Sequence, residues 1–150
     1  MMQIIFKKKN FVASNFINKF SLYNKNSGAI FSFIGKVRPK NQSNNILSID
    51  IELYEKMALV QIKKIINKLM KKYFIDDVLV IHRYGKVKPG ENIVLIVVAS
   101  EHRKESFRFG EKLMDWLKVK ATFWKKENFA SGSEWVNQKQ TDKEFIDLNL

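Results

Sequence analysis

The sequence predicts an α+β domain with a mixed or antiparallel sheet and two main helices. Three stretches carry that prediction. "ILSIDIELY" (46–54) alternates, with Leu47, Ile49, Ile51 and Leu53 on one face and Ser48, Asp50 and Glu52 on the other, as a strand covered on one side does. From Glu55 to Tyr73 the period lengthens. Ala58, Leu59, Ile62, Ile65, Ile66, Leu69, Met70 and Tyr73 form a helical stripe, while Lys56, Lys63, Lys64, Lys68, Lys71 and Lys72 face outward. "NIVLIVVAS" (92–100) is an almost unbroken apolar run, which suits a central strand.

The remaining elements follow in order. The start, "MMQIIF", reads as a short strand, with a helix beginning near Ser14. "GAIFSFIGKVR" (28–38) is rich in branched and aromatic residues and predicts a strand. "RPKNQSNNI" (38–46) is polar, carries a proline and predicts a mobile loop. "VLVIHRYGKV" (78–87) pairs with the 92–100 run through "KPGE", where Pro89 and Gly90 suit the central positions of a type II turn. "SEHRKESFRFGEKLMDWLK" (100–118) predicts a helix with Ser100 as N-cap and Phe107, Gly110, Leu113, Met114 and Leu117 on its inner stripe. "VKATFW" (119–124) is a last buried strand that ends where Lys125, Lys126 and Glu127 emerge, and "EWVNQ" (134–138) is a short one. With no repeat and no linker, residues 1–150 form a single domain, in which 1–27 is an N-terminal strand and helix and 143–150 a flexible tail.

Composition narrows the chemistry. A chain of 150 residues buries enough surface to fold without a disulfide or metal staple. It has no cysteine, which removes thiolate catalysis, cysteine metal ligands and sulfur carriage by this chain itself. With only His82 and His102, no metal site is expected. The formal charge of +12 favours anionic partners: nucleic acid, phosphorylated metabolites, an acidic protein or a membrane surface. Lys, Asn, Ile and Phe are abundant together, a mixture that A/T-rich coding also produces, so charge alone does not choose among these. No apolar run approaches the ~18 residues of a membrane span. The early lysines follow a short apolar patch with no hydrophobic region behind them, so a secretory signal is not expected and the cytoplasm is.

Four polar clusters adjoin predicted strand or helix ends: Lys36 with Arg38, His82 with Arg83, His102 with Arg103, and Lys118 with Lys125, Lys126 and Glu127. Taken singly, each reads as a solvated or hydrogen-bonded surface group. The chain carries no Walker loop, G-x-G-x-x-G, HExxH or G-x-S-x-G. Position strengthens the joint case. His102 and Arg103 fall in the first turn of a helix, where backbone amides also attract anions. Lys118 closes that helix and Lys125 follows the next strand after a short connection, so the two should line one cleft. Adjacent ammonium groups and desolvation both disfavour charge, and a lysine brought toward neutrality can serve as base or nucleophile.

"FSFIGKVR" (31–38), "HRYGKVKPGE" (82–91), "SEHRKESF" (100–107), "LMDWLK" (113–118) and "FWKKENFASGSEWV" (123–136), in that order and spacing, resemble the large, catalytic subunit of molybdopterin synthase, the MoaE family. The resemblance runs from about Gly28 to Asp142. It implies an α/β hammerhead-type fold with an additional antiparallel sheet. The implied reaction moves sulfur from the C-terminal thiocarboxylate of a small ubiquitin-like subunit, ending in Gly-Gly, to cyclic pyranopterin monophosphate, forming the dithiolene of molybdopterin. No cofactor bound by the chain itself is implied, because the sulfur arrives on the partner. Large subunits pair and carry one small subunit each, giving a heterotetramer; neither membrane nor nucleic acid is expected as a partner. By matched motif, Lys118 and Lys125 are the catalytic lysines. Lys36, Val37, Arg38, His102, Arg103, Lys118, Lys125, Lys126, Glu127 and Lys139 are substrate-contacting positions, and Phe33 and Met114 line the tunnel for the partner's tail. Thr122 stands where the family commonly has proline, and Lys139 where an arginine reaches across the dimer. Two alternatives stand beside this: a basic nucleic-acid-binding module, and an inactive paralogue that still binds a ubiquitin-like partner.

Overall fold

The apolar run at 92–100 becomes the inner strand of a sheet covered on both faces. The computed structural model describes residues 1–119 and 123–136. They form β1 (Met2–Lys7), α1 (Ala13–Tyr23), β2 (Ala29–Lys36), β3 (Lys40–Asn41), β4 (Asn44–Asn45), β5 (Ser48–Leu53), α2 (Glu55–Lys72), β6 (Asp77–Arg83), β7 (Gly85–Val87), β8 (Asn92–Ser100), α3 (Arg103–Val119), β9 (Phe123–Phe129) and β10 (Gly132–Trp135). The first sheet has the order β1-β6-β8-β2. β8 runs antiparallel to both neighbours, and β1 joins β6 in parallel, so the sheet is mixed.

Burial on both faces explains why the middles of β6 and β8 are apolar runs. Val78, Val80, Val94, Ile96 and Val98 face α2 and α3, meeting Ile62, Ile66, Leu69, Phe109 and Leu113. Leu79, Ile81, Leu95, Val97 and Ala99 face the other way, toward Phe11 and the α1 residues Ala13 and Phe20. Burying each of these larger side chains contributes roughly 1.5–3 kcal/mol. The close seat of α3 on β2 depends on Gly110, because a Cβ there would run into the Phe31 ring.

The second sheet, β10-β9-β5-β7, is antiparallel, as the additional sheet implied by the family resemblance should be. Its inner face packs Ile49, Ile51 and Val87 with Val37 and Ile46. The chain passes from one sheet to the other at Gly85, whose φ of +78° suits glycine. Arg83 bolts this corner. Its guanidinium is buried, pairs with Glu91 at 3.2 Å and donates to the carbonyls of Lys8, Lys86 and Asn92.

Several local expectations change. The segment 38–46 is not a loose loop: β3 and β4 pair as a tight hairpin, with Gln42 at φ 54° in its turn. Ser100 is the last residue of β8, not an N-cap; its Oγ donates to the His102 carbonyl at 2.7 Å, and α3 starts at Arg103. Phe107 is exposed and meets Phe31 edge-on, with ring centroids 5.3 Å apart, while Phe109 takes the core position. The last long strand does not end at Trp124. β9 continues through the charged triplet to Phe129, because β5 and β10 pair with it on either side. The turn Lys88–Glu91 matches the expected type, with Gly90 at φ +83° and the Glu91 N–H donating to the Lys88 carbonyl at 3.0 Å. Thr122, Lys139 and the segment 143–150 lie outside the described residues.

Candidate active site

Lys118 lies in the last turn of α3 and Lys125 on β9, near enough for the charge of the first to act on the second. Lys118 is exposed and sits at a helix C-terminus, where a cation is favoured. Lys125 is half-buried, opposite Ile51 of β5. Burial first, and then the charge of Lys118, lowers the pKa of the Lys125 ammonium from its ordinary value. The charge of one lysine therefore reaches the other.

The triplet 125–127 does not act as one surface. Strand alternation sends Lys125 and Glu127 to the inner face and Lys126 to the outer one. There the Lys126 Nζ lies 5.6 Å from the centroid of the Trp135 ring, its partner across the β9–β10 ladder. Glu127 is buried and accepts from Asn41 Nδ2 at 2.8 Å, so its carboxylate anchors the β3–β4 hairpin.

Lys36 and Arg38 are exposed at the end of β2. Val37 between them is buried in the second core. Its N–H donates to the Glu91 carbonyl at 3.1 Å and its carbonyl accepts from Gly90 at 2.9 Å. Its side chain and its N–H are used within the fold, so any contact it makes with a substrate would be through the carbonyl oxygen's second lone pair. Phe33, exposed, shares the face of β2 that Phe31 presents to Gly110. Met114 lies one turn beyond Gly110 on α3, and Lys118 one turn beyond that. Phe33 and Met114 therefore stand along one β2–α3 seam that runs toward Lys118.

His102 and Arg103 are placed elsewhere. Both are exposed beside the N-terminus of α3, after the end of β8. β8 has nine residues, about 26 Å of strand, and its far end pairs Asn92 with Lys36. One chain therefore holds Arg38 and the His102–Arg103 pair at opposite ends of the first sheet, and no single-chain anion site unites the three.

The residue that sequence reasoning undervalued is His82. It is not a surface group but is 2% exposed, on the α2/α3 side of β6. Its ring stacks on Phe123, with centroids 3.6 Å apart and planes at 16°. Nδ1 lies 2.7 Å from the Arg83 carbonyl. Burial, reinforced by the Lys125 charge and opposed by that backbone bond, lowers its pKa to about 3. A polar residue inside the apolar run "VLVIHR" was the available signal.

An apolar groove of about 550 Å³ runs between β1 and α1, lined by Ile5, Phe16, Phe20 and Tyr23 among others. It lies on the α1 side of the first sheet, away from the lysine pair. Among the described residues no group of three or more His, Asp or Glu is placed to hold a metal ion. No described helix is long and apolar enough to cross a membrane.

Comparison with known proteins agrees with this fold. The family model described as "MoaE protein" matches residues 6–120. A molybdopterin synthase catalytic subunit of Ralstonia nicotianae is 43% identical over 116 residues, covering 77% of this chain and 66% of that protein. Another, from Mesorhizobium japonicum, is 43% identical over 117 residues, 77% of this chain and 72% of its own. The solved structure of a molybdopterin biosynthesis MoaE protein from Burkholderia ambifaria superposes with a TM-score of 0.83 at 27% identity, covering 100% of this chain and 99% of that one. With its lysine pair, its two sheets and these matches, the chain belongs to the MoaE family, the catalytic subunits of molybdopterin synthase.

Proposed function

We propose that this chain transfers sulfur from the C-terminal thiocarboxylate of a small ubiquitin-like partner to cyclic pyranopterin monophosphate, forming the dithiolene of molybdopterin. The observation that carries the reading is the Lys118–Lys125 pair on a molybdopterin synthase scaffold. Lys125, with its lowered pKa, is the group that exchanges protons with the reacting centre at neutral pH. Lys118, Lys36 and Arg38 supply positive charge for the substrate phosphate and the incoming thiocarboxylate. The β2–α3 seam gives the tail its route: a Gly-Gly end has no side chains and passes Phe33 and Met114 to reach Lys118. The sulfur comes from the partner, in keeping with a chain that has no cysteine. On this reading the chain itself binds no cofactor and works in the cytoplasm.

Two large subunits pair, each with one small subunit. Pairing also resolves the divided anion site. If His102 and Arg103 contact the same phosphate as Arg38, they do so from the second copy, about 26 Å being too far for side chains of one copy to span. Glu127 and Lys126 act indirectly, through the hairpin and the outer face of the second sheet. The test is reconstitution: the chain, thiocarboxylated small subunit and cyclic pyranopterin monophosphate together should yield dithiolene, and omitting the chain should abolish it.

A further inference from the structure

We propose that His82 is a positioning residue for this reaction: its imidazole, clamped between the Arg83 carbonyl and the Phe123 ring, holds the Lys125 amine in place through Nε2. The proposal rests on the sulfur-transfer reading for its kinetic consequence, while the linkage of ring and lysine is inferred from the Phe123 stack and the shared face of β9. A neutral imidazole has one N–H and one lone pair. At 2.7 Å from a carbonyl, which only accepts, Nδ1 must carry the hydrogen. Nε2 is then an acceptor, and ring geometry turns it away from the main chain of β6.

Phe123 fixes where it points. The flat stack holds the imidazole against the inner face of β9. Lys125 is two residues along that same strand, on the same face. Its charge is felt strongly enough at His82 to help keep the ring unprotonated. Around Lys125 are Lys118 of α3, whose charge reaches it, Ile51 opposite it on β5, Glu127 on its own strand, and His82, stacked on Phe123 two residues before it. Glu127 is engaged by Asn41, and Lys118 is another cation. His82 is therefore the neutral acceptor of this set. A phenylalanine would fill the same space and stack as well, but could not accept a hydrogen bond. A carboxylate would accept one, yet would hold the lysine protonated and disable it as a base.

The decisive variant is His82→Phe, which keeps the aromatic stack and removes the acceptor. We expect kcat to fall about tenfold or more with KM little changed, since the loss concerns placement of a proton-transferring group and not substrate binding. In the chain alone, with no sulfur donor, the Lys125 titration followed by NMR of labelled lysine should move down by about one pH unit, because an acceptor that favours the ammonium is gone. His82→Gln, whose amide oxygen can accept, should recover part of both effects. An unchanged Lys125 titration, or an unchanged kcat, in His82→Phe overturns the proposal. Should that variant fail to fold, the ¹⁵N shift of His82 Nε2 in the native chain and in Lys125→Met decides instead: a difference supports the bond, and identity overturns it. If the titration moves as expected while the native enzyme makes no dithiolene, the sulfur-transfer reading fails and the ring–lysine linkage survives.

Discussion

The imidazole of His82 lies flat on the Phe123 ring, centroids 3.6 Å apart, and so ties the end of the first sheet to the second. A histidine held neutral in the folded state and free to charge when unfolded makes stability depend on pH. Its folded pKa is about 3 and its unfolded value 6.5, so between these the unfolded chain binds more protons. Stability should be full above pH 6.5 and fall as pH drops through that window, by on the order of 2–3 kcal/mol at pH 4.5 from this group alone. Urea unfolding at pH 7 and 4.5 measures the slope. His82→Phe should flatten it, and an equally steep loss in that variant would remove His82 as the cause.

Lys118 and Lys125 have unequal roles. Lys125→Ala should lose most turnover. Lys118→Ala should also slow the reaction, and in addition raise the pKa of Lys125, because it removes the neighbouring like charge. Labelling of Lys125 by an acylating reagent, followed against pH, reads that rise directly. At exposed Lys118 the substitution should change stability by no more than about 0.5 kcal/mol. A Lys125 titration that ignores the substitution would separate the two residues.

Asn41 and Glu127 form a latch at 2.8 Å between the β3–β4 hairpin and β9. Glu127→Ala should loosen the hairpin while sparing the sheets, at a cost of about 1–3 kcal/mol. Amide hydrogen exchange across 40–45 should accelerate, with β8 unchanged. Protection retained in the hairpin would show that it stands without the latch.

The β2–α3 seam predicts a steric block. Met114→Arg should stop entry of the partner's tail and abolish single-turnover sulfur transfer, while gel filtration still finds the large subunits paired. Normal transfer in that variant would mean that the tail enters elsewhere.

Elements whose side chains alternate or cycle cleanly were legible in the sequence. β5 and α2 follow from their periods, β8 from its unbroken apolar run, and the Lys88–Glu91 turn from Pro89 and Gly90. What was hidden depends on partners distant in the chain. β9 runs on through Lys125, Lys126 and Glu127 because β5 and β10 satisfy its backbone, and local charge says nothing of that. The hairpin at 40–45 is bonded to Glu127, more than eighty residues away. Lys118 and Lys125 could be paired from a short helix-to-strand connection. Arg38 and His102–Arg103 could not be assigned to opposite ends until β2 was set against β8. Val37 stands between two exposed charged residues, and only packing shows its side chain to be core.

The most direct measurement is dithiolene formation by the purified chain with thiocarboxylated small subunit and cyclic pyranopterin monophosphate, run beside Lys125→Ala. The account predicts molybdopterin from the native chain and a loss of most turnover in the variant, with its fold intact by circular dichroism. Dithiolene formed by Lys125→Ala at the native rate would contradict it.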